Sequence, residues 1–202
     1  MEKKYVEVIK QLMPEDNSNT KIKRAFKNFF SKQEIKSAKI VYLISIPLTL
    51  FISFSPDTVM LIKNFSNLSL TLLITIFPGL LTFYTIIISI IGKKNIETLI
   101  RAQGQKKTLL VTVMNYYEEI LMLYFVGIFI TLVVYCYIDL IPSNFTLTKN
   151  YVLNCLLAFI LIYVYITFVF RLIYELKSTI YNTIALSNNS IINNIREIIS
   201  EK

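Results

Sequence analysis

Four apolar blocks, at about 39–55, 68–92, 120–141 and 152–173, constrain this chain more than any other feature in it. A helix needs about 20 apolar residues, within a range of roughly 17–25, to cross the hydrocarbon core of a bilayer. All four blocks reach that length, the first at the short end. The expected fold class is all-α: an integral membrane four-helix bundle with helical cytoplasmic extensions. Composition points the same way. The chain is 54% hydrophobic and only 17% charged, with mean hydropathy +0.57, whereas an ordinary soluble domain carries about a quarter charged residues. No cleavable signal peptide is expected, because the first 38 residues are polar and basic.

Basic residues mark the cytoplasmic side of a membrane protein. Nineteen of the 21 Lys and Arg fall in residues 1–39, in the loop after the second block, and in the segment from Arg171 onward. The other two, Lys63 and Lys149, lie in the remaining loops. Both termini are therefore expected in the cytoplasm. The net charge of +8 follows from topology and from attraction to anionic inner-leaflet lipid, so direct nucleic-acid binding is not expected.

Three divisions follow: a cytoplasmic amphipathic arm over 1–38, a membrane domain over 39–173 with a cytoplasmic loop at 93–118, and C-terminal helices over 174–202. In the arm, Tyr5, Val8, Ile9 and Leu12 form one apolar stripe, and "PEDNSNT" (Pro14–Thr20) reads as a loop. Ile22, Ala25, Phe26, Phe29 and Phe30 form a second stripe, ringed by Lys21, Lys23, Arg24, Lys27 and Lys32. A basic helix with phenylalanines on its apolar side suits the inner membrane surface; packing on the protein's own cytoplasmic part suits it equally. "SKQE" (Ser31–Glu34) has capping-box spacing, so the first membrane helix is expected to begin near Lys32 and end near Pro56. The third and fourth helices, expected over about 107–141 and 151–186, are too long for the bilayer and should project into the cytoplasm. "SNNS" (Ser187–Ser190) is expected to break the fourth, leaving a last amphipathic helix on Ile191, Ile192, Ile195, Ile198 and Ile199.

The second block holds the most specific pattern. Thr71, Thr75, Pro78, Thr82, Thr85, Ser89 and Gly92 recur at spacings of 4 and 3, and most positions between them are large and apolar. Helices in lipid associate through close packing of small residues and modest hydrogen bonds. The stripe is therefore expected to face protein or water: a packing seam, or the lining of a homo-oligomeric pore with a kink at Pro78. A strongly selective pore is disfavoured, because the stripe has no ring of charge. Gly127 and Thr131 form a milder small-residue pair in the third span. Charge near the membrane is confined to a few positions. Arg171 is expected to pair with Glu118 or Glu119 where the third and fourth helices leave the bilayer, or each to snorkel separately.

Chemistry is hard to place on this chain. It has no histidine, no phosphate-binding glycine loop, no zinc-ligand spacing and no nucleophile elbow. Cys136 and Cys155 make no framework. No enzyme activity, metal or cofactor is expected.

In length, four spans, cytoplasmic termini and AT-rich coding style, the chain resembles the small membrane proteins of bacterial anti-phage defence operons, most nearly the four-span membrane subunit of the Kiwa system. The resemblance is architectural, covers 39–173 and carries over no site residue. It implies a homo-oligomer in the bacterial inner membrane that holds a soluble cytoplasmic partner and senses membrane perturbation. The expected partners are membrane lipid, further copies of the chain in a homo-oligomer such as a tetramer, and a cytoplasmic protein. A small depolarising pore and an accessory subunit of a transporter are the competing expectations.

Overall fold

A computed structural model of the protein describes residues 17–90, 109–142, 145–146 and 148–200. The described residues are mostly helical, with no strand among them. The helices are α1 (Ser18–Phe29), α2 (Lys32–Ser37), α3 (Lys39–Ser53), α4 (Thr58–Ile90), α5 (Leu109–Leu140) and α6 (Tyr151–Ser200). The first apolar stripe of the arm, Gly92 and the loop at 93–108 lie outside the described residues.

Three helices, α4, α5 and α6, are long and apolar enough to cross a membrane. The fourth expected span, α3, has 15 residues. At 1.5 Å per residue it is about 22 Å long, shorter than a hydrocarbon core of about 30 Å.

The boundaries differ from expectation in three places, each for a local reason. The Ser31 hydroxyl caps α2 by accepting from the Glu34 N–H at 3.4 Å, as the capping-box spacing requires. That helix does not run on into the first apolar block. It stops at Ala38, where the Ser37 hydroxyl donates to the Glu34 carbonyl at 2.8 Å and competes with the ladder. Next, α4 begins at Thr58, ten residues before its apolar block, because nothing after Pro56 breaks a helix. Finally, α6 runs straight through "SNNS". Ser and Asn are only about 0.5 kcal/mol worse than Ala in a helix, and without Gly or Pro they do not end one.

The chain separates into two compact units. One takes the described parts of Met1–Lys27, Pro78–Leu123 and Lys177–Lys202; the other takes those of Asn28–Phe77 and Tyr124–Leu176. These divisions follow packing, whereas the expected ones at 38/39 and 173/174 followed hydropathy, so the unit boundaries fall inside α1, α4, α5 and α6.

The second unit has a core of Ile52, Ile62, Ile162, Tyr165, Ile166 and Val169. The Phe65 ring meets those of Tyr165 and Phe170 edge-on, each at 5.9 Å. Helices pack closely here because small residues face inward. Ser45 and Thr49 of α3 are fully buried, each hydroxyl donating to its own helix four residues back, at 2.8 and 2.7 Å. A methyl group added to Gly127 of α5 would collide with the buried Leu172 of α6. Lys63 of α4 pairs with Asp139 of α5.

In the first unit, Tyr117 of α5 shares a hydrogen bond with the Thr183 hydroxyl of α6 at 2.7 Å, and Tyr116 shares one with Thr179 at 3.3 Å. Thr183 donates on to the Thr179 carbonyl at 2.8 Å. Leu110, Val111, Ile120 and Leu123 are buried in this part of α5.

Candidate functional site

Helix α4 has two faces of opposite character. Ile62, Ser66, Ser69, Leu73, Leu80 and Ile87 are buried. Thr71, Thr75, Pro78, Thr82, Thr85 and Ser89 are all exposed. Both sets repeat with heptad spacing but are offset by two residues, for example Thr71 against Leu73. Two residues at 100° each place the sets on nearly opposite sides of the helix. The division is not one of size alone, since Ser66 and Ser69 are buried while Leu72, Ile74, Leu81, Ile86 and Ile88 are exposed on the helix with the hydroxylated positions.

The exposed hydroxyls are satisfied within their own helix. Thr71 donates to the Asn67 carbonyl at 3.0 Å, Thr75 to Thr71 at 2.8 Å, and Thr82 to Pro78 at 3.0 Å. Thr85 donates to the Thr82 carbonyl and Ser89 to the Ile86 carbonyl, both at 2.8 Å. Their donors are spent within the helix, and each hydroxyl keeps acceptor lone pairs.

Arg171 on α6 gathers four segments of the second unit. Its side chain is 1% exposed. Nη1 donates to the Tyr42 hydroxyl of α3 at 3.0 Å, and Nη2 donates to the Phe29 carbonyl at the end of α1 at 2.8 Å. The last carbonyls of a helix lack intrahelical donors and carry its negative end, so a guanidinium suits that position. Nη2 also reaches Glu175 at 3.4 Å, one turn along α6, and Glu34 of α2 at 3.9 Å. The guanidinium carbon sits 4.7 Å from the centre of the Phe29 ring, which meets Phe168 edge-on at 6.1 Å. Nε has no partner.

The partners expected for Arg171 have other ones. In the first unit, Lys21 donates to Glu118 at 2.6 Å. Arg24 donates from Nε to Glu119 at 2.7 Å and from Nη2 to Asn115 at 3.3 Å. In place of the expected Arg171–Glu118 or Arg171–Glu119 pairing, Glu118 and Glu119 each pair with α1, and Arg171 pairs with Glu175 of its own helix and with Glu34 of α2. The Arg171–Glu175 spacing of four residues was a signal available in the sequence. The α1 pairs join residues about 95 positions apart, and no local pattern reveals them.

These pairs also bear on the basic helix. Ala25 and Phe29 are buried, Phe26 and Arg24 are half-buried, and Phe30, Lys23 and Lys27 are exposed. The innermost part of the α1 stripe is thus covered by protein, and its edge remains open. Among the described residues, no three His, Cys, Asp or Glu side chains gather where they would hold a metal ion.

Comparison of the chain with protein-family models, with curated proteins and with solved structures yields no match.

Proposed function

We propose that this chain is a non-enzymatic scaffold or sensor subunit of the bacterial inner membrane, acting in anti-phage defence. It spans the bilayer four times with both termini cytoplasmic, assembles with copies of itself, and recruits a soluble cytoplasmic effector. The observation that carries the reading is the two-faced α4. One face is consumed by the chain's own core, while the other presents small residues at heptad spacing to the outside. In lipid such a face lets two backbones approach closely and gain dispersion contacts that a leucine surface would prevent. The short α3 spans by local thinning of the bilayer or by its flanks reaching the interface, which costs only fractions of a kcal/mol per Å of mismatch.

Disulfide trapping tests the assembly. In a background lacking Cys136 and Cys155, Thr75→Cys and Thr82→Cys should cross-link between copies in native membranes, and Leu73→Cys should not. Absence of cross-linking at both threonine positions would remove the basis for the reading. Purification from cells carrying the neighbouring genes should then bring down a soluble protein with the wild type.

A second reading, a homo-oligomeric pore, draws on the same exposed hydroxyls, which offer lone pairs to water. Liposome flux separates the two. A pore requires ion flux from the wild type, abolished in an intact Thr82→Leu assembly; a scaffold gives no flux from either.

A further inference from the structure

Three lysines near the start of the second unit keep their charge uncompensated. Lys32 and Lys36, one turn apart on α2, and Lys39, the first residue of α3, are all exposed. Among the described residues none of the three makes a salt bridge, whereas Lys21, Arg24, Lys63 and Arg171 each do. The single carboxylate of α2, that of Glu34, is engaged within the unit: it accepts from the Ser37 hydroxyl at 3.3 Å and lies 3.9 Å from Arg171 Nη2. Phe30, Ile35 and Ile40 stand exposed among the lysines, and the outward side of α3 continues them with Leu43, Ile44 and Phe51. Contacts with α6 set the depth of this patch. Glu34 meets Arg171, and the Tyr174 hydroxyl, one turn further along α6, donates to the Ser37 carbonyl at 3.3 Å. At the far end of α3 the Tyr151 hydroxyl donates to the Phe54 carbonyl at 3.5 Å. From Tyr151 to Arg171 α6 rises about 30 Å, the thickness of a hydrocarbon core. Helix α2 therefore sits level with the end of that span, where lipid headgroups begin.

Given the spanning topology proposed above, on which this rests, we propose that α2 and the first residue of α3 form a binding surface for the headgroups of anionic inner-leaflet lipids such as phosphatidylglycerol. A lysine ammonium is a compact charge on a flexible stem, so it reaches a headgroup phosphate while its methylenes lie along apolar surface. Phe30 and Ile35 beside the lysines suit the boundary between headgroups and acyl chains. A zwitterionic headgroup carries its own ammonium, so three uncompensated lysines favour a lipid with net negative charge. A soluble acidic protein would match the lysines too, but the apolar side chains among them run without a break into the outward side of α3, so lipid is the occupant that covers both. Headgroups held here let the leaflet surface dip toward the start of α3, which shortens the core that this 15-residue helix has to cross.

The chain has no tryptophan, so a single introduced indole reports the lipid beside it. The full chain carrying Ile35→Trp, and separately Phe51→Trp near the other end of α3, is reconstituted in bilayers of equal parts phosphatidylglycerol and phosphatidylcholine, with one or the other lipid brominated on its acyl chains. Brominated phosphatidylglycerol should quench Ile35→Trp about twofold more than brominated phosphatidylcholine does, as local enrichment of anionic lipid requires, and the two should quench Phe51→Trp alike. Changing Lys32, Lys36 and Lys39 together to Gln should abolish the excess, and changing them to Arg should keep it. The Ile35→Trp comparison decides by itself if the triple variants do not fold. Equal quenching of Ile35→Trp by the two lipids, or an excess that survives the Gln changes, would overturn the proposal. Phe51→Trp quenched while Ile35→Trp is not would place α2 away from lipid and overturn the proposal alone. Quenching at neither position would overturn the spanning topology with it.

Discussion

Arg171 brings a full charge into a nearly dry position, and its cost is met by what surrounds it. Two guanidinium nitrogens are bonded, a phenylalanine face lies beneath, and Glu175 supplies a counter-charge. Removing one member of a buried pair costs about 3–5 kcal/mol, because the other is left uncompensated. Arg171→Met should therefore destabilise the purified protein by that order, read from thermal unfolding in detergent. Adding Glu175→Leu should recover much of the loss, since apolar replacement of a whole buried pair is often neutral or better. Glu118→Gln should instead add its own small cost independently. Gly127 makes a second residue-scale test. With Leu172 packed against it, Gly127→Ala should cost about 1–3 kcal/mol through overpacking, and Leu172→Val should relieve part of it in the double variant. A Gly127→Ala protein as stable as wild type would mean that α5 and α6 do not approach as closely as described.

At the scale of elements, the helices were readable where periodicity was long and the chain was free of breakers. The apolar blocks announced α4, α5 and α6, and the Ser31–Glu34 spacing announced the start of α2. The ends were harder. Hydropathy marks where a segment enters lipid, not where its backbone stops being helical, so α4 was expected to start too late. The end expected for α6 was too early because it rested on Ser187–Ser190 as a breaker, although Ser and Asn alone do not end a helix. The stripe on α4 was legible as a pattern but its direction was not. Small residues at heptad spacing fit an inner seam as well as an outer one, and the choice depends on how the whole chain packs. The Arg171–Glu175 contact was within one turn and open to reading. The contacts of α1 with Glu118 and Glu119 join distant segments, and their choice depends on the fold. They give a prediction at this scale. Lys21→Glu should increase amide exchange in α1, and Lys21→Glu with Glu118→Lys should restore protection. Partly exposed pairs contribute only about 0.2–1 kcal/mol each, so the effect should be confined to α1 and leave the melting transition nearly unmoved.

For the whole molecule, the distribution of positive charge proposes the orientation and the outward face of α4 proposes the assembly. Cysteine labelling should find positions 60 and 146 accessible from outside the cell and positions 20, 104 and 195 accessible only from within. External labelling at 104 would reverse the orientation. The central claim is that the hydroxylated face of α4 joins copies of the chain, and native mass spectrometry of protein released from lipid nanodiscs addresses it most directly. The wild type should appear as an oligomer, Thr82→Ala and Thr82→Ser should keep it, and Thr82→Leu should yield a folded single copy, because a large side chain pushes the backbones apart. A wild type found only as single copies, or a Thr82→Leu variant with an unchanged oligomer, would contradict the account.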